Sequence, residues 1–309
     1  MNAPALAPMF RVPDIPPQHT IIQHIKDQSD FDTRTDAHPC PPFEGLLRMK
    51  LPPALFEALR DAALEALATF GSFGWLSSEG RDQEDTYRSL SLAYNPDLQD
   101  PGIDDVHQST LGTSVNTSRE FFYGSTQKFT TLKHTYFDTY GFRKLTPAAR
   151  TGGLGYFLSQ CGLSLVRSRL SVIHGEQGAT TDFLTGWHRD ERVFENLRVN
   201  IPLTSDDAYR MQVEPSLDKP GPASPSMREY HLEPGYAYSF NTNLPHRVYA
   251  REPSSKPRIH LVLGFAPWLR YVERDDAWVP NAFYGAMNPL DMLRAGHLHD
   301  QLVFDGYAS

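Results

Sequence analysis

Three side chains in the second half of the chain could bind one metal ion. His188 and Asp190 lie two positions apart in the segment WHRD, and His246 follows in the segment NLPHRV. Residues two apart on an extended segment point to the same side, so this imidazole and carboxylate can converge while Arg189 points away. Two imidazole nitrogens and one carboxylate oxygen are the ligand set of mononuclear Fe(II) sites that keep coordination positions open.

Arg258 is a fourth residue with a chemical role to explain. It lies twelve positions after His246 and begins the apolar run IHLVLGF. A guanidinium group on a core strand is costly to bury unless it meets an anion of matched, bidentate geometry, and a dicarboxylate would provide one. An H-x-D pair alone also fits a surface histidine–aspartate pair, and His246 alone also fits a packed or capping residue. The metal hypothesis therefore depends on these features occurring together.

Short segments rich in Val, Ile, Leu and Tyr surround these residues and alternate with turn residues, which is typical of β-strands. Seven such strands in about 100 residues indicate a sandwich or barrel such as a jelly roll. The predicted strands are SRLSVIHG (168–175), NLRVNIPL (196–203), YRMQVE (209–214), EYHLEPG (229–235), YAYSFN (236–241), HRVYAR (246–251) and RIHLVLGF (258–265).

The rest of the chain divides around this strand-rich core. Residues 1–50 contain proline pairs and little periodicity, which predicts an extended arm. Residues 51–165 are expected to form a helical and irregular support, which begins with an amphipathic helix over 51–71 and could hold a second helix within 127–145. The core covers 166–267. The extension 268–309 shows helical character around PLDMLRAGHL, and all four stretches are expected to form one compact catalytic domain.

Composition excludes several classes of partner. Of 309 residues, 29 are Lys or Arg and 37 are Asp or Glu, which gives a net charge of −8 and no basic surface for nucleic acid. No apolar run approaches the roughly 18 residues of a membrane span. Cys40 and Cys161 cannot form a disulfide framework, and the opening residues MNAPALAPMFRVPDIPP lack a secretion signal, so a soluble cytoplasmic protein is expected. The oligomeric state stays open.

Four motifs in order resemble the aspartyl/asparaginyl β-hydroxylase branch of the Fe(II)/2-oxoglutarate-dependent dioxygenases, over roughly residues 166–267. The resemblance implies a mainly β fold with flanking helices, a double-stranded β-helix of the jelly-roll or cupin-like kind. It also implies iron bound by His188, Asp190 and His246, with 2-oxoglutarate as cosubstrate and O2 as oxidant. The motifs are RLSVIHG, GWHRDERVFENLRVNIPL, PGYAYSFNTNLPHRV and PRIHLVLGF.

The resemblance also implies roles for residues around the metal. Arg258 matches the arginine that pairs with the distal carboxylate of 2-oxoglutarate, and Ser171 matches a serine that assists it. Arg198 matches an arginine near the keto-acid end, where Asn200 occupies a position often filled by histidine. Some members of the branch lack the acidic ligand, so the presence of Asp190 favours hydroxylation over halogenation. The segment EQGATTDFLTG indicates an inserted loop beside the site.

The implied reaction is hydroxylation of an unactivated C–H bond in a small, amino-acid-like metabolite, with release of succinate and CO2. Three alternatives stay open: desaturation, epoxidation or cyclisation by the same oxidant in natural-product biosynthesis; hydroxylation of Asp or Asn in peptides; and a non-catalytic jelly-roll module with a structural metal. A cupin-type isomerase or hydrolase would bring further His or Glu ligands, and no H-x-H cluster is present. His174, His231 and His260 receive no role at the metal.

Overall fold

The fold is mainly antiparallel β-structure with a few helices. The computed structural model describes residues 45–74, 87–96, 139–175, 187–191, 193–215 and 225–308. The predictions for the arm before residue 45, for most of a helix within 127–145 and for the inserted loop lie outside these residues. No helix in the described ranges combines the length and the apolar character needed to cross a membrane.

Fifteen strands are formed by the described residues. They are β1 (Leu47–Lys50), β2 (Phe73–Gly74), β3 (Tyr87–Ser91), β4 (Ala93–Tyr94), β5 (Lys144–Leu145), β6 (Ser164–Gly175), β7 (Leu197–Thr204), β8 (Tyr209–Val213), β9 (Arg228–Tyr230), β10 (Tyr236–Ser239), β11 (His246–Ala250), β12 (Ser254–Ala266), β13 (Leu269–Val272), β14 (Ala277–Pro280) and β15 (Val303–Tyr307).

Helices flank the strands. They are α1 (Pro53–Phe70), α2 (Pro147–Arg150), α3 (Gly152–Ser159) and α4 (Pro289–Arg294), with 3-10 turns at Thr139–Gly141 and Glu273–Asp275. The predicted helix over 51–71 is confirmed as α1, which begins with proline in its first turn and ends before Gly71, at a φ of +79°. Helix α4 lies in the segment PLDMLRAGHL, as expected.

The strand order is that of a jelly roll. Eight strands form a large sheet in the order β15-β1-β10-β7-β12-β6-β3-β2, and β11-β8-β9 form a small one. The chain passes from β7 in the large sheet to β8 and β9 in the small sheet, then to β10, β11 and β12 in alternation. This alternation between two antiparallel sheets defines a double-stranded β-helix, so the predicted fold class is confirmed. Strands β1 and β15, from outside 166–267, complete one edge of the large sheet.

The two faces of the large sheet have different chemistry. On β12, Leu261, Leu263 and Phe265 belong to an apolar core that also contains residues of α1, α3 and α4. The alternate residues of β12 therefore face the small sheet, because successive side chains of a strand point to opposite sides. Ile173, the register partner of Arg258, packs with Tyr209 of β8 and confirms this direction.

A bulge in β6 adjusts this inner face. The register between β6 and β12 shifts between Val262 and Gly264, and Arg167 adopts a φ of +39° there. The Ser168 hydroxyl donates to the Val166 carbonyl at 3.0 Å and accepts from the Gly264 N–H at 3.0 Å. The side chain of Ser168 thus provides the hydrogen bonds that the bulge removes from the ladder.

One predicted strand is much shorter than expected. The segment 229–235 was predicted to be extended throughout, whereas β9 covers only Arg228–Tyr230. The chain then turns through Pro234 and Gly235, which has a φ of +91°, before β10 begins. A proline without an N–H and a glycine in the left-handed region both disfavour a continuing ladder.

Candidate metal centre

The structure brings together the three residues whose spacing suggested a metal site. One donor atom each from His188, Asp190 and His246 lies within 4.8 Å of the others. The N–H of His188 donates to the His246 carbonyl at 3.1 Å, and the N–H of His246 donates to the His188 carbonyl at 3.0 Å. The Asp190 N–H donates to the Thr242 carbonyl at 3.0 Å. Backbone pairing with the start of β11 and the segment before it therefore places all three side chains.

His246 is oriented by its own loop. Its side chain is buried, and its Nδ1 lies 2.9 Å from the Leu244 carbonyl, which can only accept. Nδ1 must therefore carry the proton, and this leaves the Nε2 lone pair for a metal. That Nε2 lies 3.5 Å from Oδ2 of Asp190, while His188 is exposed. Among the three donors, the His188 side chain is thus open to solvent, whereas the His246 side chain lies inside the barrel.

Arg198 keeps Asp190 ionised. Its Nη1 lies 2.9 Å from Oδ2 of Asp190. Burial alone would raise the pKa of the Asp190 carboxyl, but the charge of Arg198 and the neighbouring imidazoles of His188 and His246 hold that pKa well below its ordinary value. A carboxylate in this environment is present in the form that binds a cation.

Glu191 is a residue that the sequence analysis missed. Its carboxylate accepts from Arg198 Nη2 at 2.6 Å and from Asn196 Nδ2 at 3.3 Å, and it forms an ion pair with Arg167 at the β6 bulge. Its carbonyl accepts from the Thr242 hydroxyl at 2.9 Å. Glu191 thus anchors the backbone that follows Asp190. Its position directly after Asp190 and seven residues before Arg198 was its signal in the sequence.

Arg258 lies inside the barrel without an anion. Its side chain is 7% exposed, and it forms no hydrogen bond or ion pair within the described part of the chain. Burial lowers its pKa to about 10, while Tyr87 and Tyr209 lie close enough to raise it slightly. A buried guanidinium without a carboxylate is uncommon, because desolvating an unpaired charge is costly. This environment favours an anionic ligand.

Ser171 and two further residues surround the same region. Arg169 Nε donates to the Tyr87 hydroxyl at 3.3 Å, and Ser171 is hydrogen-bonded to that hydroxyl. Although burial raises the pKa of Tyr87, the charges of Arg169 and Arg258 and these hydrogen bonds lower it overall. The sequence analysis predicted Ser171 but missed Tyr87 and Arg169, although Arg169 and Ser171 are two apart on one strand face.

Asn200 lies on β7 between Arg198, which contacts Asp190, and the level of Arg258 on β12. It is opposite Val262 on β12 and Tyr238 on β10, and Arg198 precedes it by two positions on β7. Its amide makes no side-chain hydrogen bond within the described residues. The two residues that were expected to bind the keto-acid end therefore share one strand. Arg198 forms ion pairs with Asp190 and Glu191, whereas the Asn200 amide can still bind a ligand.

Comparisons with known proteins find solved structures of low similarity. No family model and no curated protein matches the sequence. Similar solved structures include the non-heme alpha ketoglutarate dependent epimerase SnoN from nogalamycin biosynthesis, with 14% identity and a TM-score of 0.38 over 79% of this chain and 80% of that one. Dioxygenase for auxin oxidation 1 from Arabidopsis thaliana has 10% identity and a TM-score of 0.36, over 82% and 90% of the two chains.

A third similar structure is a Pseudomonas putida prolyl-4-hydroxylase, with 12% identity and a TM-score of 0.34 over 80% of this chain and 98% of that one. Identities and TM-scores of this size carry no inference about the fold or the chemistry of this protein. The assignment of the fold therefore depends on the strand order, and the assignment of the site depends on the side-chain distances.

Proposed function

We propose that this protein is an Fe(II)/2-oxoglutarate-dependent oxygenase. One observation carries the proposal: one jelly roll holds a His-Asp-His group that opens to solvent at His188 and a buried arginine that pairs with no carboxylate of the described residues. Fe(II) with 2-oxoglutarate and O2 supplies the oxidation of an unactivated C–H bond, in which one oxygen atom enters the product and the other enters succinate as CO2 is released. The side chains would bind the metal and the cosubstrate, orient the substrate and exclude water from the site.

His188, Asp190 and His246 are the proposed iron ligands. Nδ1 of His246 is hydrogen-bonded to the Leu244 carbonyl, so Nε2 is the nitrogen that would bind iron. Arg198 keeps Asp190 ionised, so the site offers one carboxylate and two imidazole nitrogens. With only three protein ligands, such a site leaves coordination positions for a chelating keto acid.

Arg258, assisted by Ser171, is the proposed partner of the distal carboxylate of 2-oxoglutarate. A non-catalytic module with a structural metal needs no buried cation near the metal, whereas a dicarboxylate cosubstrate provides the anion that Arg258 lacks. This observation favours the oxygenase over the metal-binding module. Binding the carboxylate would convert a desolvated, unpaired charge into a charge-assisted pair.

Arg198 and Asn200 are assigned to the keto-acid end. Arg198 already forms ion pairs with Asp190 and Glu191, so its guanidinium N–H groups are engaged. It would stabilise the carboxylate at the keto-acid end of 2-oxoglutarate by its nearby positive charge. The amide of Asn200 can donate a hydrogen bond from the same strand. Arg258 is thus assigned to one end of the cosubstrate, and Arg198 and Asn200 are assigned to the other.

For the substrate, we propose a small, amino-acid-like metabolite that is hydroxylated at an unactivated C–H bond. The sequence resemblance to the aspartyl/asparaginyl β-hydroxylase branch supports this class. The exposed edge of the metal group, where His188 and Arg189 face solvent, supports entry of a small molecule from that side.

The proposal is tested by iron content and succinate formation. We expect the purified protein to bind one Fe(II) and to form succinate from 2-oxoglutarate when a panel of amino-acid derivatives is supplied. His188→Ala and His246→Ala should lose iron, while His297→Ala, an exposed histidine outside the site, should keep it. Iron retained in both ligand variants, or no succinate with any substrate, would contradict the proposal.

A further inference from the structure

His260 is buried deep in the barrel and makes no hydrogen bond within the described residues. Its side chain has an exposure of 0%, and neither Nδ1 nor Nε2 has a hydrogen-bond partner in the part of the chain that the structure describes. A buried polar group without a partner destabilises a folded protein, because its hydration is lost and not replaced. An apolar side chain of similar size would serve better if the position had only a packing role.

The position of His260 connects it to the anion pocket. It follows Arg258 by two residues on β12, so both side chains point to the inner face of the large sheet. Its register partner on β6 is Ser171, and its partner on β7 is Pro202. An imidazole without partners therefore lies beside a guanidinium without an anion and opposite the serine that assists it.

His260 is neutral in this environment. Burial lowers the pKa of its imidazole well below the ordinary value, and the nearby charges of Arg258 and His231 lower it further. A neutral imidazole has one N–H donor and one acceptor. It can therefore donate to an anion without adding a second charge that would have to be desolvated.

We propose that His260 is a binding residue for the distal carboxylate of 2-oxoglutarate, to which it donates one N–H beside the guanidinium of Arg258. This inference rests on the proposed function and extends it by one residue. The carboxylate would be held by Arg258, Ser171 and His260, with Tyr87 bridging Ser171 and Arg169 behind them. His260 would thus contribute to the preference for a dicarboxylate over a 2-oxo acid that lacks the distal carboxylate.

The test compares two ligands that differ only at that end. Calorimetry under anaerobic conditions, with Fe(II) bound, would measure the affinity for 2-oxoglutarate and for 2-oxopentanoate, which has the same carbon chain without the distal carboxylate. We expect His260→Leu to weaken 2-oxoglutarate binding about ten- to hundredfold, as expected for a lost hydrogen bond to a charged group. The affinity for 2-oxopentanoate and for Fe(II) should not change.

A stability measurement separates binding from packing. Because His260 is unpartnered, the melting temperature of metal-free His260→Leu should equal or exceed that of the wild type. His260→Gln, which keeps a side-chain N–H, should recover most of the affinity and provides a second variant if the leucine fails to fold. His299→Leu changes another buried histidine, one that stacks on Phe157, and should leave 2-oxoglutarate binding unchanged.

The outcomes are distinguishable. If His260→Leu binds 2-oxoglutarate as tightly as the wild type, or if the variant loses the same affinity for both ligands, the role of His260 is overturned. The proposed function would still stand. Wild-type protein that binds no 2-oxoglutarate would overturn both.

Discussion

The carboxylate of Glu191 organises the side chains behind the metal group. It contacts Arg198 and Arg167, and Arg198 in turn contacts Asp190. Two buried guanidinium groups thus share two carboxylates, of which only Asp190 is close to both histidines. Removing the charge of Glu191 would leave Arg167 without the ion pair and would free Arg198 to move toward Asp190. We therefore treat Glu191 as a positioning residue for the metal ligand.

Glu191→Gln should lower the affinity for Fe(II) by about ten- to hundredfold, the usual effect of losing a partner behind a metal ligand. Iron titration at a temperature where circular dichroism shows the variant to be folded would measure it. Glu252→Gln, at an exposed position, is the control, and Glu191→Asp should recover part of the affinity. Unchanged iron affinity in a folded Glu191→Gln variant would disprove this role.

Arg258→Ala should raise the KM for 2-oxoglutarate at least a hundredfold and leave iron affinity unchanged, because the guanidinium is assigned to the cosubstrate and not to the metal. Arg258→Lys should show a smaller increase, since an ammonium group restores the charge without the bidentate fork. Steady-state kinetics at saturating iron would measure both, with the exposed Arg270→Ala as the control. An unchanged KM in Arg258→Ala would refute the anion assignment.

For single residues, the sequence analysis depended on residue type and spacing, so it identified only the residues that belong to a recognisable motif. The H-x-D pair and the distant histidine do converge in the structure. Tyr87 could not be found in this way, because it contacts Arg169 on a strand that is far from it in the chain. Glu191 and His260 match no motif, so neither residue type nor spacing singled them out. A period of two along β6 places Arg169 and Ser171 on one face, and this alternation was a signal for a polar interior.

Among the elements, β6 and β12 determine where the inner side chains lie. The bulge at Arg167 and Ser168 gives β6 an extra residue, which turns the Arg167 side chain toward Glu191. Gly264 lies opposite this bulge. A Cβ atom there would lie too close to the Val166 carbonyl oxygen and 2.6 Å from Oδ1 of Asn196.

Gly264→Ala should lower the free energy of unfolding by about 1–3 kcal/mol, since the added methyl group would overpack against backbone rather than against a flexible side chain. Chemical denaturation monitored by circular dichroism would measure the change. Gly153→Ala, where the added carbon would meet only Ala62 Cβ at 3.3 Å and Ala58 oxygen at 3.5 Å, is the matched control. Equal stability of the wild type and Gly264→Ala would show that the two strands can separate at the bulge without cost.

Local patterns predicted the elements well where the pattern itself causes the structure. Segments rich in Val, Ile, Leu and Tyr predicted β6, β7 and β12, and the apolar repeat predicted α1, because burial of apolar side chains stabilises each of them. The edge strands β1 and β15 were not predicted, since LRMK and VFDGY are short and their pairing joins opposite ends of the chain. The length of β9 was overestimated because the turn at Gly235 was read as part of the strand.

For the whole molecule, the two faces of the large sheet divide stability from chemistry. One face packs leucines and phenylalanines against α1, α3 and α4, while the other carries four buried arginines: Arg167, Arg169, Arg198 and Arg258. In the described residues, Asp190 and Glu191 are the carboxylates paired with members of this set. An interior with more buried cations than paired anions suits a protein that binds a metal together with a dianion, although the overall charge is −8.

Anaerobic titration with Fe(II) and then with 2-oxoglutarate tests the central claim most directly, because chelation of the keto acid on iron produces a weak visible charge-transfer band. We predict a band that saturates at one equivalent of iron, that is absent in His246→Ala and that requires far more 2-oxoglutarate in Arg258→Ala. If the wild-type protein binds iron and develops no band at saturating 2-oxoglutarate, or if His246→Ala develops the same band, the proposed site is wrong.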